Sequence, residues 1–253
     1  GIDLCMKYDW DKKHFSHSIC TAGDDVQRDF TMKLHEHLFE RKFGVPYAPI
    51  NKNTCFPNPP VGWMTWYAVQ FDACEEAVLH NARQQKELLG PYGANAIWVD
   101  WEWYHQNFSG QGKPGTDIFN PDPERYPHGL AYVADKISEL GFTPCLWIGA
   151  TNDPNKNEFF SENPDTVLVC KRSWCGQYFI DPTHPQIKDE YIPRVFRSIV
   201  NDGYKALKWD CFPVSFLRTD ENHDKLFDPE VSTDEAMREL VKIARSVVGK
   251  DFY

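Results

Sequence analysis

The chain contains no apolar run approaching the roughly 18 residues that a membrane-spanning helix needs. It has no Cys-x-x-Cys pair, and its eight cysteines, at 5, 20, 55, 74, 145, 170, 175 and 211, are widely and irregularly spaced. The nine histidines include neither a His-x-x-x-His nor a His-Glu-x-x-His arrangement. His35 and His37 stand two apart on a helical pattern and point in different directions. A zinc site therefore has little sequence support. Positive charge is scarce: 27 Lys and Arg against 37 Asp and Glu leave a net charge of -10. That balance argues against nucleic acid and against an anionic membrane as partners, since both reward basic patches. There is no internal repeat and no low-complexity tract. Gly110, Gly112 and Gly115 fall in a loop rather than between a strand and a helix, so no phosphate cradle is indicated. Ser16 and Ser18 lie among His14 and His17 without the context of a nucleophile elbow. A chain of 253 residues is too large to need disulfides for its core, so the thiols are expected to be mostly free and partly buried.

Aromatic residues are abundant: 9 Trp, 11 Tyr and 17 Phe, enough to exclude disorder as the main state. Two readings stay open. The rings are the core of a large α/β domain, or some of them stack on the apolar faces of sugar rings. The length suits one large domain or barrel.

Residues 1–44 are polar and His-rich and end in a helical pattern over Phe30–Phe43, with Gly44 as its C-cap. They read as an N-terminal extension or the end of a preceding domain. Residues 45–60 hold five prolines and read as an extended linker. From residue 61 to 253 strands and helices alternate. Strands are expected at Val61–Tyr67, Ala96–Trp101, Thr143–Ile148, Tyr178–Ile180 and Tyr204–Trp209, with another starting at Asp251. Helices are expected at Asp72–Leu89, Gly129–Leu140, Pro185–Asn201 and Ser232–Val248. Tyr104–Pro127 reads as a long loop, and Val167–Cys170 as a short apolar run. This alternation predicts a parallel sheet covered on both faces.

In a parallel α/β barrel the active site lies at the C-terminal ends of the strands. Those ends carry Trp63 and Trp66, then Asp100, Trp101 and Glu102, then Trp147, Asp181, Lys208 and Asp210. Acids and aromatics thus gather at one rim. Each has a plainer reading. Asp181 suits a helix cap, Trp63 suits the core, and Asp100 and Glu102 suit ion pairs. Lys208 and Asp210, two apart on a strand, share a face. A lysine there depresses the carboxyl pKa, which suits a carboxylate nucleophile and equally a buried salt bridge.

Five ordered segments resemble those of the retaining α-galactosidases, the melibiase-like glycoside hydrolases of families 36 and 27, with the catalytic barrel of family 36 the better match. They are Pro59–Trp66, Arg125–Leu130, Phe142–Trp147, Tyr178–Pro185 and Tyr204–Asp210. The resemblance implies a (β/α)8 TIM-type barrel and double displacement through a glycosyl-enzyme, with Asp210 as nucleophile. It implies that Lys208 binds sugar hydroxyls and keeps Asp210 charged, that Asp100 accepts from sugar hydroxyls, and that Trp66 and Trp147 line the pocket. No metal or organic cofactor is required by that chemistry. The substrate would be an oligosaccharide or glycoconjugate ending in an α-linked galactose or N-acetylgalactosamine.

Two departures qualify this. The family's second strand usually carries two consecutive Asp, whereas here Trp101 follows Asp100 and Glu102 comes next, in a position to substitute. Losing one acceptor bears directly on which sugar is taken. The family also places its acid/base after the sixth strand, and this chain stops at Tyr253 as that strand begins. Asp220 and Asp224 follow the fifth strand too closely to match, so the acid/base is expected beyond Tyr253. The chain is accordingly expected to be a fragment. The open edge of its barrel would be covered by further sequence or by a partner, and a homo-oligomer is compatible with that. Two alternatives accompany the hydrolase: a raffinose-synthase-like α-galactosyl transferase and a non-catalytic carbohydrate-binding relative.

Overall fold

A computed structural model describes residues 2–9, 14–21, 37–44 and 60–253. The chain divides into two units, Gly1–Pro49 and Ile50–Tyr253. In the first, β1 (Ile2–Asp9) and β2 (His14–Thr21) form an antiparallel hairpin whose register sets Leu4 opposite Ile19, Met6 opposite His17 and Tyr8 opposite Phe15. The sequence reading expected no strand here. The missed signal is the period of two in Ile2, Leu4, Met6 and Tyr8. Helix α1 covers Leu38–Phe43, and Gly44 closes it with φ +67, its N–H donating to Glu40 O at 3.1 Å. The rest of the helix expected over Phe30–Phe43, and the linker 45–60 apart from Pro60, lie outside the described residues.

The second unit is built on a four-stranded parallel sheet in the order β3 (Gly62–Met64), β4 (Ala96–Val99), β5 (Thr143–Ile148) and β9 (Ala206–Trp209). Apolar runs such as Ile97, Val99, Leu146 and Ile148 are buried, as parallel strands covered by helices require. Helices α3 (Glu75–Leu88), α4 (Gly129–Glu139), α6 (Ile192–Asn201) and α8 (Thr233–Val248) supply the cover. The buried positions Leu130, Val133, Ala134 and Ile137 of α4 follow the helical spacing i, i+3, i+4, i+7, and Ile192, Val195, Phe196 and Ile199 of α6 repeat it.

Three expectations are corrected. Val61–Tyr67 is a strand only to Met64; Thr65–Ala68 is a short helix, α2, so Trp66 sits just past the strand end. Tyr178–Ile180 is not a parallel strand. It belongs to β8 (Gly176–Ile180), in an antiparallel sheet ordered β6 (Asn152–Asp153), β8, β7 (Val167–Ser173). The two residues between β7 and β8 can only close a hairpin, and β5 pairs directly with β9 through Cys145–Ala206, Leu146–Leu207, Trp147–Lys208 and Ile148–Trp209. Asp181 then serves the turn that follows, accepting from Thr183 N–H at 2.8 Å, Thr183 Oγ1 at 2.6 Å and Phe227 N–H at 2.6 Å. Finally, no strand begins at Asp251. Tyr253 nevertheless donates to Lys205 O at 3.1 Å and accepts from Leu207 N–H at 3.0 Å, a short parallel ladder along β9.

The long connections carry α5 (Glu158–Glu162), a π-helical turn at Ile187–Tyr191 leading into α6, and α7 (Phe212–Glu221), which the sequence reading did not expect. The cysteines Cys74, Cys145, Cys170, Cys175 and Cys211 are all free. The expectation for Cys5, Cys20 and Cys55 concerns side chains outside the described residues.

The β3–β4 approach depends on one glycine. A Cβ on Gly62 would lie 1.7 Å from Ala96 O, whereas one on Gly115, at φ +86, would meet nothing within 4 Å. Gly62→Ala should therefore cost about 3 kcal/mol or more through backbone displacement. Gly115→Ala should cost only about 1 kcal/mol, through φ alone. Urea midpoints of the two variants measure the difference, and equal losses would show that the strands are not in van der Waals contact at residue 62.

Candidate active site

Parallel register decides which side chains meet at the top of the sheet. Val99 is level with Leu146, so Asp100 is level with Trp147, and Trp147 is itself paired with Lys208. Met64 is level with Trp98, and Trp66 follows two residues later on the short helix α2. Residues at one level across adjacent strands share a face. Asp210 lies two residues beyond Lys208 on that face. Trp66, Asp100, Trp101, Trp147, Lys208 and Asp210 line one cleft of about 280 Å³, together with Phe108 and Trp174.

The floor is a carboxylate–ammonium–carboxylate array. Lys208 Nζ stands 3.1 Å from Asp100 Oδ2 and 3.5 Å from Asp210 Oδ2. Asp100 is only 2 % exposed, while Lys208 and Asp210 are each 33 % exposed. Burial pushes the Asp100 pKa upward; Lys208 and the Trp101 N–H, which donates to Oδ1 at 3.0 Å, oppose it without cancelling it. The Asp100 N–H is fixed on Thr65 Oγ1 at 2.9 Å. Burial alone would lower the Lys208 pKa, but the charges and hydrogen bonds of Asp100 and Asp210 outweigh it, so the ammonium is held above its usual range.

Asp210 is held at both oxygens. Oδ2 accepts from the Trp147 indole at 3.2 Å as well as facing Lys208, and Oδ1 accepts from the Cys211 N–H at 2.7 Å. Its own N–H donates to Ile148 O at 3.0 Å. Cys211 has φ +70, a left-handed conformation uncommon for a non-glycine residue. Trp103 Nε1 donates to Trp147 O at 2.9 Å, anchoring the strand end that carries the indole. A carboxylate with its two oxygens fixed and one face open to a cleft can attack an electrophilic carbon.

The remaining sequence candidates do not reach the cleft. Trp63 is half-buried against the core, its plainer reading. Glu102 is fully buried behind the strand end. Arg125 does not pair with its carboxylate; its guanidinium donates to the Glu102 carbonyl at 2.8 Å and the His105 carbonyl at 3.1 Å. Because Trp101–Trp103 form a 3-10 turn, Glu102 no longer follows strand alternation and cannot substitute for a second acceptor at the cleft. Asp220 is bonded to Thr233 Oγ1 and, like Asp224, stands outside the cleft lining. Sequence reasoning missed Phe108, Trp174, Thr65 and the Cys211 N–H. Only Phe108 left a trace, as an aromatic isolated in the polar run Gln106–Gly112. Among the described residues no group of three or more His, Cys, Asp or Glu is placed to hold a metal ion, and no helix is long and apolar enough to cross a membrane.

Burial raises the Glu102 pKa to about 8 from an ordinary 4.5, against the pull of the Thr65 hydroxyl. The folded state thus favours the protonated acid. That contribution to stability is complete below pH 4.5 and is lost as pH rises to about 8. The stability advantage of Glu102→Gln over wild type should grow across that window and level off above it. Urea midpoints at pH 4.5, 6.5 and 8.5 test this, and a constant difference would mean that Glu102 is ionised throughout.

The profile of the melibiase family matches residues 29–227. An α-galactosidase of Lactobacillus acidophilus is 20% identical over 190 residues, covering 73% of this chain and 24% of that protein. An α-galactosidase of Geobacillus stearothermophilus is 24% identical over 155 residues, covering 60% of this chain and 20% of that protein. An α-N-acetylgalactosaminidase of Rattus norvegicus is 29% identical over 110 residues, 42% of this chain and 26% of that protein. The chain thus spans about a quarter of the length of these curated relatives. Among solved structures, the Thermus thermophilus α-galactosidase in complex with p-nitrophenyl α-D-galactopyranoside superimposes with a TM-score of 0.54 at 22% identity, over 74% of this chain and 36% of that one. The Geobacillus stearothermophilus α-galactosidase of family 36 gives 0.53 at 21%, over 75% and 26%. These likenesses are of fold, and they agree with the parallel α/β sheet described above. With the family profile spanning most of its length, the chain belongs to the melibiase family of glycoside hydrolases.

Proposed function

We propose that this chain carries the nucleophile of a retaining glycosidase acting on terminal α-linked galactose-like sugars, within a (β/α)8 barrel. The observation that carries the reading is Asp210 itself: a carboxylate fixed at both oxygens, beside a lysine, at the C-terminal end of a parallel strand and facing an aromatic cleft. The relatives named above are α-galactosidases and an α-N-acetylgalactosaminidase, which favours galactose or its 2-acetamido analogue as the sugar.

On this reading Asp210 attacks the anomeric carbon as the glycosidic C–O bond breaks. A second carboxylic acid protonates the departing oxygen and then takes a proton from the water that releases the sugar. Retaining enzymes hold the two carboxyls about 5–5.5 Å apart. Asp100 is not assigned this second role, because its one Lys208-facing oxygen and its Trp101-bonded oxygen serve it better as a fixed acceptor for sugar hydroxyls. Lys208 faces Asp210 as its counter-charge and donates to the sugar. Trp66 and Trp147 supply apolar walls for the C–H faces of the ring.

In the full-length protein, Asp210→Asn should lower kcat on an aryl α-galactoside by about 10³-fold or more while leaving the fold intact by circular dichroism. Azide added to Asp210→Gly should restore turnover and yield the β-glycosyl azide, since azide enters from the side the carboxylate occupied. A panel of galactoside, N-acetylgalactosaminide and glucoside names the sugar, and excess acceptor sugar separates transfer from hydrolysis. An Asp210→Asn enzyme as active as wild type would overturn the assignment. Absence of turnover in folded wild-type protein would favour a binding role.

A further inference from the structure

The cleft has two storeys. Below are the charged groups and the buried rings of Trp101 and Trp147; at the mouth stand Phe108 and Trp174, 62% and 40% exposed. Neither outer ring completes the core, and each stands nearly perpendicular to an inner ring. Phe108 lies 5.5 Å from Trp66 at 70°, and Trp174 lies 5.7 Å from Trp101 at 80°. Their exposure leaves ring surface at the mouth available for stacking.

The outer rings come from separate loops that are fastened together. The loop after β4 closes on itself through Gln106 N–H to Gln111 O at 2.8 Å and Ser109 N–H to Asn107 Oδ1 at 3.0 Å. The β7–β8 turn docks on it: Arg172 Nη1 donates to Gly110 O at 2.8 Å, and a Cβ on Gly110 would lie 1.9 Å from Ser173 O. Trp174 also occupies a two-residue hairpin turn, where Gly, Asn or Asp is the usual choice. A large ring there costs turn propensity. Aromatic rings held on braced loops lose little freedom when a ligand covers them.

Resting on the glycosidase reading, we propose that Phe108 and Trp174 form the leaving-group subsite and select substrates whose leaving group is a ring with an apolar face, a second sugar or an aryl group, over short alkyl groups. Asp210 holds the anomeric carbon below, so the leaving group must exit through the mouth between these rings. No charged side chain other than Asp100, Lys208 and Asp210 lines the cleft, which disfavours an anionic or cationic leaving group. Phe108 and Trp174 are thus specificity-determining residues rather than catalytic ones.

The test compares kcat/KM for p-nitrophenyl α-galactoside, raffinose and methyl α-galactoside in full-length wild type, Phe108→Ala and Trp174→Ala. Intrinsic leaving-group ability cancels when each ratio to the methyl glycoside is compared with its wild-type value. That ratio should fall about tenfold or more in each alanine variant and be kept by Phe108→Tyr and Trp174→Phe. A fall for raffinose alone identifies a sugar subsite; a fall for both identifies a general ring platform. Equal losses on all three substrates, or no change in the ratios, would overturn the proposal. If wild type hydrolyses none of them, the glycosidase reading fails. Tryptophan fluorescence titrations then decide, with tighter binding of the nitrophenyl than of the methyl glycoside, lost in both alanine variants, as the supporting result and equal binding as the contrary one.

Discussion

The Lys208 ammonium, lodged between two carboxylates, is the constraint on which the rest of the site depends. Asp100 is almost wholly buried, and a carboxylate in that position is tolerated only with a counter-charge and fixed donors. Lys208 supplies the charge, and Trp101 N–H supplies a donor. Yet the two residues are 108 apart in sequence and come from strands separated by β5. Their meeting requires β4, β5 and β9 to be in register to the residue, since a slip by one would send one partner to the opposite face. The close approach at Gly62 and the buried alternation of Ile97, Val99, Leu146 and Ile148 therefore act on the site through register rather than through contact.

Asp210 receives a different kind of fixation. The left-handed turn at Cys211 folds that residue's N–H back onto the preceding carboxylate. Strain of this type persists only where surrounding structure over-determines it. The over-determination is visible: Asp210 N–H is tied to β5, its second oxygen is tied to the Trp147 indole, and Cys211 is buried where its thiol is pushed well above the ordinary range by desolvation. The thiol is thus a packing group, and the backbone of the same residue does the positioning.

How much of this was legible in the sequence varied with its physical origin. Helices α4 and α8 and strand β5 were readable almost to the residue, because periodic burial fixes them locally. The pairing of Lys208 with Asp210 followed from strand alternation. Tyr178–Ile180 reads as a parallel strand because it has the apolar character of a central strand, and only its antiparallel partner β7 reveals the direction. Glu102, expected to substitute for the second acceptor from a shifted position, is turned away from the cleft by the 3-10 turn at Trp101–Trp103. Phe108 and Trp174 could not be assigned to the cleft at all, since their position is set by two loops docking through a glycine and an arginine, a tertiary contact with no local periodicity.

On the glycosidase reading, Trp101 changes what this site can discriminate. A carboxylate at that position would reward one orientation of a hydroxyl and penalise its absence, because a buried acceptor left unpaired is costly. An indole offers area and shape instead, and one methylene's worth of apolar contact separates substrates only weakly. Trp101 is packed by Trp66, Phe71, Trp147 and Trp174, and it is almost wholly buried. The charged groups that line the cleft are Asp100, Lys208 and Asp210. On the glycosidase reading, three charged groups set among packed rings select a pyranose less by the configuration of any single hydroxyl than by its apolar surface, which leaves room for the mouth to contribute to selectivity.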